Sequence, residues 1–94
     1  MKPARMTLLI VDDHEVVRQG LRTLLDLEPD FHVIGEAASV KEATEAATHL
    51  KPDVALIDVK LPDGSGVDAC PRILAVSPKT RILMLSSYAD DTTV

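Results

Sequence analysis

Three stretches of this chain are apolar almost without interruption: Thr7-Leu8-Leu9-Ile10-Val11, Val54-Ala55-Leu56-Ile57-Asp58-Val59, and Arg81-Ile82-Leu83-Met84-Leu85-Ser86. A strand with one solvated face alternates apolar with polar residues. A continuous run suits a strand covered on both faces, the usual situation in a parallel sheet. A weaker run, Phe31-His32-Val33-Ile34-Gly35-Glu36-Ala37, mixes in polar residues and belongs at an edge. Between the runs, apolar residues recur at helical spacing. Val17, Leu21, Leu24 and Leu25 form one such face, Val40, Ala43, Ala47 and Leu50 a second, and Val67, Cys70 and Leu74 a third. Ser39 and Glu42 are spaced as a capping box, and Pro52 ends the helix that they begin. Pro71 falls inside the third helical pattern, where it should kink or delay the helix.

The alternation reads βαβαβαβ, which implies right-handed crossovers and a parallel sheet. The expected architecture is α/β, a flavodoxin-like doubly wound sheet of about four strands and three helices, strand order 2-1-3-4. The 94 residues form one domain, 1–94, with 46% hydrophobic and 27% charged residues, enough apolar side chain for a core. Asp90-Asp91-Thr92-Thr93-Val94 resembles the opening of a further helix, so the sequence is expected to be incomplete at its C-terminus.

The acids are placed where such a sheet binds ligands. Asp12 and Asp13 directly follow the first strand, and Asp58 lies at the end of the third. Ligands of open α/β sheets bind beyond the carboxyl ends of the strands, near the point where strand order reverses. Three converging carboxylates repel one another unless a cation lies between them, and an all-oxygen set suits Mg²⁺. Ser86 and Ser87 end the fourth run beside the same place and can donate to an anionic oxygen. Lys60-Leu61-Pro62-Asp63-Gly64-Ser65-Gly66 supplies a constrained loop. A carboxylate nucleophile, a divalent cation and a hydroxyl donor together suit formation of an aspartyl phosphate.

Three motifs in order, Ile10-Val11-Asp12-Asp13-His14, Ala55-Leu56-Ile57-Asp58-Val59 with Leu61-Pro62-Asp63-Gly64-Ser65-Gly66, and Leu83-Met84-Leu85-Ser86-Ser87-Tyr88, resemble the receiver domain of bacterial two-component response regulators. The wording from Asp12 to Arg18, followed by Gly20-Leu21, is most similar to the subfamily with a LuxR-type helix-turn-helix output domain. The resemblance implies a phosphoryl-accepting switch and not an enzyme acting on other substrates. It makes Asp58 the acceptor of a phosphoryl group from a histidine kinase. It makes Asp13 a direct Mg²⁺ ligand and Asp12 one acting mainly through water, with the Lys60 carbonyl adding a ligand. Ser86 would be the switch hydroxyl and Tyr88 the aromatic that turns with it, while the small Ser87 leaves the phosphate accessible. The family's fifth strand and its lysine lie beyond the resemblance.

Three other readings compete. A haloacid dehalogenase-type hydrolase wants an Asp where Lys60 stands. A flavin or nucleotide carrier wants a Gly- or Ser/Thr-rich loop where Asp12 and Asp13 stand. A pseudo-receiver would serve only as an interaction or dimerisation module. Cys70 reads as a small core residue, and His14 as a solvated residue at a helix start. His32 and His49 share no ligand spacing with it, and Asp63, Asp90 and Asp91 read as turn or cap residues. The net charge of −5, with one Tyr and one Phe, argues against nucleic-acid binding by this segment. The longest uncharged apolar run is far too short to cross a membrane, and no signal peptide is evident, so a cytoplasmic location is expected. The apolar run from Ile82 to Leu85, as an uncovered edge, predicts a homodimer or larger oligomer.

Overall fold

The computed structural model describes residues 5–85. In chain order these are β1 (Met6–Val11), α1 (Glu15–Asp26), β2 (Phe31–Ala37), α2 (Val40–Leu50), β3 (Val54–Asp58), β4 (Lys60–Leu61), β5 (Gly64–Ser65), α3 (Gly66–Val76) and β6 (Arg81–Leu85). The long strands pair in parallel in the order β2-β1-β3-β6, while β4 and β5 form a separate small hairpin. This is the expected 2-1-3-4 order, with the weakly apolar β2 at an edge.

The sheet is covered on both sides. On one side, Leu9, Val11, Ala55 and Ile57 pack with Ala43 and Ala47 of α2 and Ala69 and Ile73 of α3. On the other, Leu8, Ile10, Val33, Val54 and Leu56 are flanked by Leu21 and Leu25 of α1 and by Phe31. Leu9, Ile10 and Ile57 are wholly buried, and each such side chain contributes about 1.5–3 kcal/mol relative to exposure.

Several helix faces differ from the sequence expectation. In α1 only Leu21 and Leu25 pack on the core; Val17 and Leu24 are exposed. Among the described residues α1 is the helix on that side, and it touches the sheet with a narrow stripe. In α3 the buried face is Gly66, Ala69 and Ile73, one position out of phase with the expected Val67, Cys70 and Leu74. Val67 is 60% exposed, and Cys70 is only half-buried, its Sγ 3.9 Å from Met84 Sδ. The rotation of α3 is set at its start, where Gly66 lies so close to Asp58 that a Cβ would come within 2.1 Å of the Asp58 carbonyl oxygen. Pro71 lies within α3 without ending it. Val67 and Pro71 are both exposed, so water can take the Val67 carbonyl that Pro71 leaves without a donor. β6 is less covered than its sequence suggests, with Leu83 57% exposed, because α3 is the helix that packs on it among the described residues.

The caps follow the local sequence. Ser39 Oγ accepts from the Glu42 N–H at 3.1 Å, while the Glu42 carboxylate reaches back to the Ala38 N–H at 2.9 Å, one residue beyond the expected partner. Lys51 ends α2 in the left-handed region, immediately before the buried Pro52.

β2 contains an irregularity that its sequence does not announce. Its register against β1 runs Leu8 to Val33 and then Leu9 to Gly35, skipping Ile34. Side chains alternate faces along a strand, so one extra residue exchanges the faces of everything after it. Val33 packs on the α1 side, whereas Ala37 belongs to the core under α2. Glu36 consequently emerges on the α1 side, where it meets Arg18 and Arg22.

Candidate phosphoacceptor and metal site

The β1–β3 register pairs Val11 with Ile57. The next residues, Asp12 and Asp58, therefore come out side by side at the carboxyl edge of the sheet. Both are 5% exposed. The Asp12 N–H donates to the Ala37 carbonyl at 3.0 Å, prolonging the β1–β2 ladder by one bond. The Asp12 carboxylate accepts from the His14 N–H at 2.8 Å, a turn that ends the strand and starts α1. His14 itself occupies the N-cap position of α1.

That turn folds His14 back over the acids. Its Nδ1 lies 2.8 Å from Asp12 Oδ1 and 3.0 Å from Asp13 Oδ1, although its side chain is 65% exposed. The reading of His14 as a solvated residue at a helix start holds, and the contacts with the two acids add to it. The signal was an Asp two residues before it at a strand end, since such a side chain bonds the backbone two residues on. Ligand atoms of Asp12, Asp13, His14 and Asp58 all lie within 4.8 Å of one another.

The charges press on each other. Burial lifts the Asp58 carboxyl above its ordinary range; the Lys60 N–H opposes this, and Asp12 and Asp13 lift it further. The hydrogen bond that its Nδ1 donates to Asp12, reinforced by the charge of Asp13, raises the His14 imidazole above 6.5. Two buried carboxylates, a third beside them and one partly compensating imidazole leave net negative charge in a small volume. Such a donor set fits a hard divalent cation, with the carboxylates as ligands.

The segment after Asp58 is tied down at several points. The Val59 N–H donates to the Leu85 carbonyl at 3.2 Å, and the Gly66 N–H to the Val59 carbonyl at 2.7 Å. The hairpin turns at Gly64, whose φ of 153° is one that glycine alone tolerates well. Ser65 caps α3 by accepting from the Val67 N–H at 2.9 Å, and Asp68 reaches back to the Ser65 N–H at 3.4 Å. Asp63, expected as a turn or cap residue, caps a different helix: its carboxylate accepts from the N–H groups of Val40 and Lys41 at 2.7 and 3.1 Å. Those bonds hold the Asp63 carboxyl below its ordinary range. Lys60 opens β4 and directs its N–H to Asp58 Oδ1 at 3.4 Å.

Of the residues expected at the site, Asp12, Asp13 and Asp58 are brought together, and the Lys60 N–H reaches Asp58. Ser86, Ser87 and Tyr88 lie outside the described residues. They follow Leu85, which pairs with Asp58 in the β3–β6 register.

Residues 8–94 match the family model of the response regulator receiver domain. The DNA-binding transcriptional activator DevR/DosR of Mycobacterium tuberculosis is 50% identical over 82 residues, covering 87% of this chain and 38% of that protein. The response regulator protein VraR of Staphylococcus aureus is 45% identical over 83 residues, covering 88% of this chain and 40% of that protein. The chain thus spans about 40% of the length of these relatives. A crystal structure of a LuxR-family two-component response regulator from Aurantimonas sp. SI85-9A1 superposes with a TM-score of 0.82 at 32% identity, covering 88% of this chain and 59% of that one.

Proposed function

The chain belongs to the response regulator receiver family, and from that premise we propose that it is the phosphoryl-accepting switch of a two-component system, with Asp58 as the acceptor. The observation that carries the reading is the β1–β3 register, which gathers Asp12, Asp13 and Asp58 at one edge of the sheet. Asp13, Asp12, Asp58 and the Lys60 carbonyl would hold Mg²⁺. When bound, the ion supplies positive charge against the carboxylates and the transferring phosphoryl group.

In the transfer, an Asp58 carboxylate oxygen forms a bond to phosphorus as the bond from phosphorus to the donor's imidazole nitrogen breaks. The donor is a phosphohistidine of a histidine kinase. Asp58 must be ionised to attack, and its neighbours resist that ionisation. Relief of their charge and attack by Asp58 are therefore linked. Ser86 would donate to the phosphate, Ser87 would leave it accessible, and Tyr88 would follow Ser86. Phosphorylation would control a LuxR-type DNA-binding domain in the full-length protein, acting in the cytoplasm. The exposed Leu83 and Val67 support self-association of the receiver as a homodimer or larger assembly.

Incubation with acetyl phosphate and Mg²⁺ tests the assignment. Mass spectrometry should show one added phosphoryl group on the wild-type chain and none on Asp58→Asn. A phosphorylated Asp58→Asn chain would refute it. Separately, Asp13→Ala should abolish the Mg²⁺-dependent NMR shifts of the loop after β1; a variant that titrates like the parent would show that the metal site is misassigned.

A further inference from the structure

We propose that Arg18, steadied by Glu36, is a positioning residue for the acidic loop that follows β1. The Arg18 side chain is largely buried and spans two partners. Its Nη1 donates to the Asp12 carbonyl at 2.6 Å and its Nε to Glu36 Oε1 at 2.9 Å. The second Glu36 oxygen accepts from Arg22 Nη1 at 2.5 Å, so that carboxylate is held at both ends.

The Asp12 carbonyl belongs to the peptide that joins Asp12 to Asp13. Fixing that oxygen fixes the peptide plane, and with it the direction in which Asp13 leaves the backbone. Asp12 has other restraints: its N–H is in the ladder and its carboxylate is bonded to His14. Asp13 is exposed, and its one partner among the described residues is the exposed His14 ring. The guanidinium is thus the firmest restraint on the peptide that carries Asp13.

The skipped residue in β2 makes this contact possible. Ile34 lies outside the register, and the exchange of faces beyond it delivers Glu36 to the α1 side while Ala37 enters the opposite core. With an unbroken alternation from Val33, Glu36 would point under α2, away from Arg18. The irregularity in the edge strand, the ion pair and the acidic loop form one mechanical series. As a partly exposed ion pair, Arg18–Glu36 adds modestly to folding stability; its effect is on geometry.

The metal arm of the test rests on the function proposed above, and the two can be told apart. Arg18 is a cation near three carboxylates. If charge were its only influence, Arg18→Met would strengthen Mg²⁺ binding and Arg18→Lys would leave it unchanged. Positioning predicts the opposite: both variants should weaken Mg²⁺ binding about tenfold, the range seen when groups that orient metal ligands are removed, because a lysine ammonium cannot serve both partners. Glu36→Ala should weaken it by a smaller factor. The metal-free readout is amide hydrogen exchange of the full chain. The His14 N–H, held by Asp12 Oδ1, should exchange faster in Arg18→Met and Arg18→Lys while the thermal midpoint stays near wild type. The lysine variant decides if the methionine variant fails to melt cooperatively. An unchanged His14 amide, or Mg²⁺ binding at or above wild-type strength in the arginine variants, overturns the proposal. A wild-type chain indifferent to Mg²⁺ overturns the function proposed for the site, and the positioning role then stands or falls on the His14 amide.

Discussion

Strand β3 is bracketed by two carboxylates that the fold treats in opposite ways. Asp53, just before the strand, accepts from the Thr7 N–H at 2.8 Å and the Thr7 hydroxyl at 3.0 Å, while its own N–H donates to Thr7 Oγ1 at 2.9 Å. Those bonds pull its carboxyl below the ordinary range. Asp58, at the other end of the same strand, is buried, has the Lys60 N–H at 3.4 Å as its hydrogen-bond donor among the described residues, and faces two further acids. Its carboxyl is pushed up. An acid that stitches strands is given donors. An acid available for chemistry is given burial and like charge, and it is left to be satisfied from outside.

The sharpest way to test that contrast is to remove each charge. Asp58→Asn should lose all phosphorylation from acetyl phosphate yet melt higher than wild type. A raised carboxyl favours folding while protonated; that contribution is lost as pH rises above 3.8 through the folded value. At neutral pH the ionised Asp58 is therefore a liability, and neutralising it should add on the order of 1 kcal/mol, or about 4–8 °C. Unfolding monitored by circular dichroism checks this, and a lower melting point for Asp58→Asn would break the comparison.

Asp53→Ala should move stability the other way, by about 1 kcal/mol, since two exposed bonds to a charged acceptor are lost. Mg²⁺ binding should be unchanged. The stabilisation from Asp53 is present above 3.8 and disappears as pH falls through its depressed folded value, so the gap between the two proteins should close in acid. Parallel melts along a descending pH series test this, and a gap that persists in acid would assign the effect to packing.

The smallest effect concerns His14. Its folded value lies above 6.5, so the imidazolium's contribution to stability is complete below 6.5 and fades as pH rises through the folded value. A cation at the acids competes with that proton. Mg²⁺ affinity should therefore rise modestly with pH across this window and level off above it, and His14→Ala should flatten the profile. Titrations at stepped pH read the effect; affinity that falls with rising pH would contradict it.

The parallel sheet was legible because Leu8 to Val11 and Val54 to Ile57 include no polar residue to place on a solvated face. Asp12, Asp13 and Asp58 were legible because each stands where a continuous apolar run stops. What escaped the sequence reading depends on contacts between distant segments. The phase of α3 follows from a close approach between Gly66 and the Asp58 backbone, and neither Val67 nor Leu74 signals it. The face exchange at Ile34 has no local mark, because Phe31 to Ala37 fits either alternation about equally well. Asp63 was read as a turn or cap residue, and the helix that it caps begins 23 positions earlier in the chain. The place of His14 could have been inferred from Asp12, had the strand-end turn been carried two residues further.

Gly66 bears on how this sequence can vary over time. Any other residue at position 66 would place a Cβ 2.1 Å from the Asp58 carbonyl oxygen, and that neighbour is backbone, with no rotamer to give way. A mutation there would displace the Asp58 backbone itself, so descendants of this chain should explore new partners through positions such as Val67 and Leu74 while the letter at 66 stays fixed. A deep mutational scan scored for phosphotransfer would show this as a column with a single permitted amino acid beside columns that admit many.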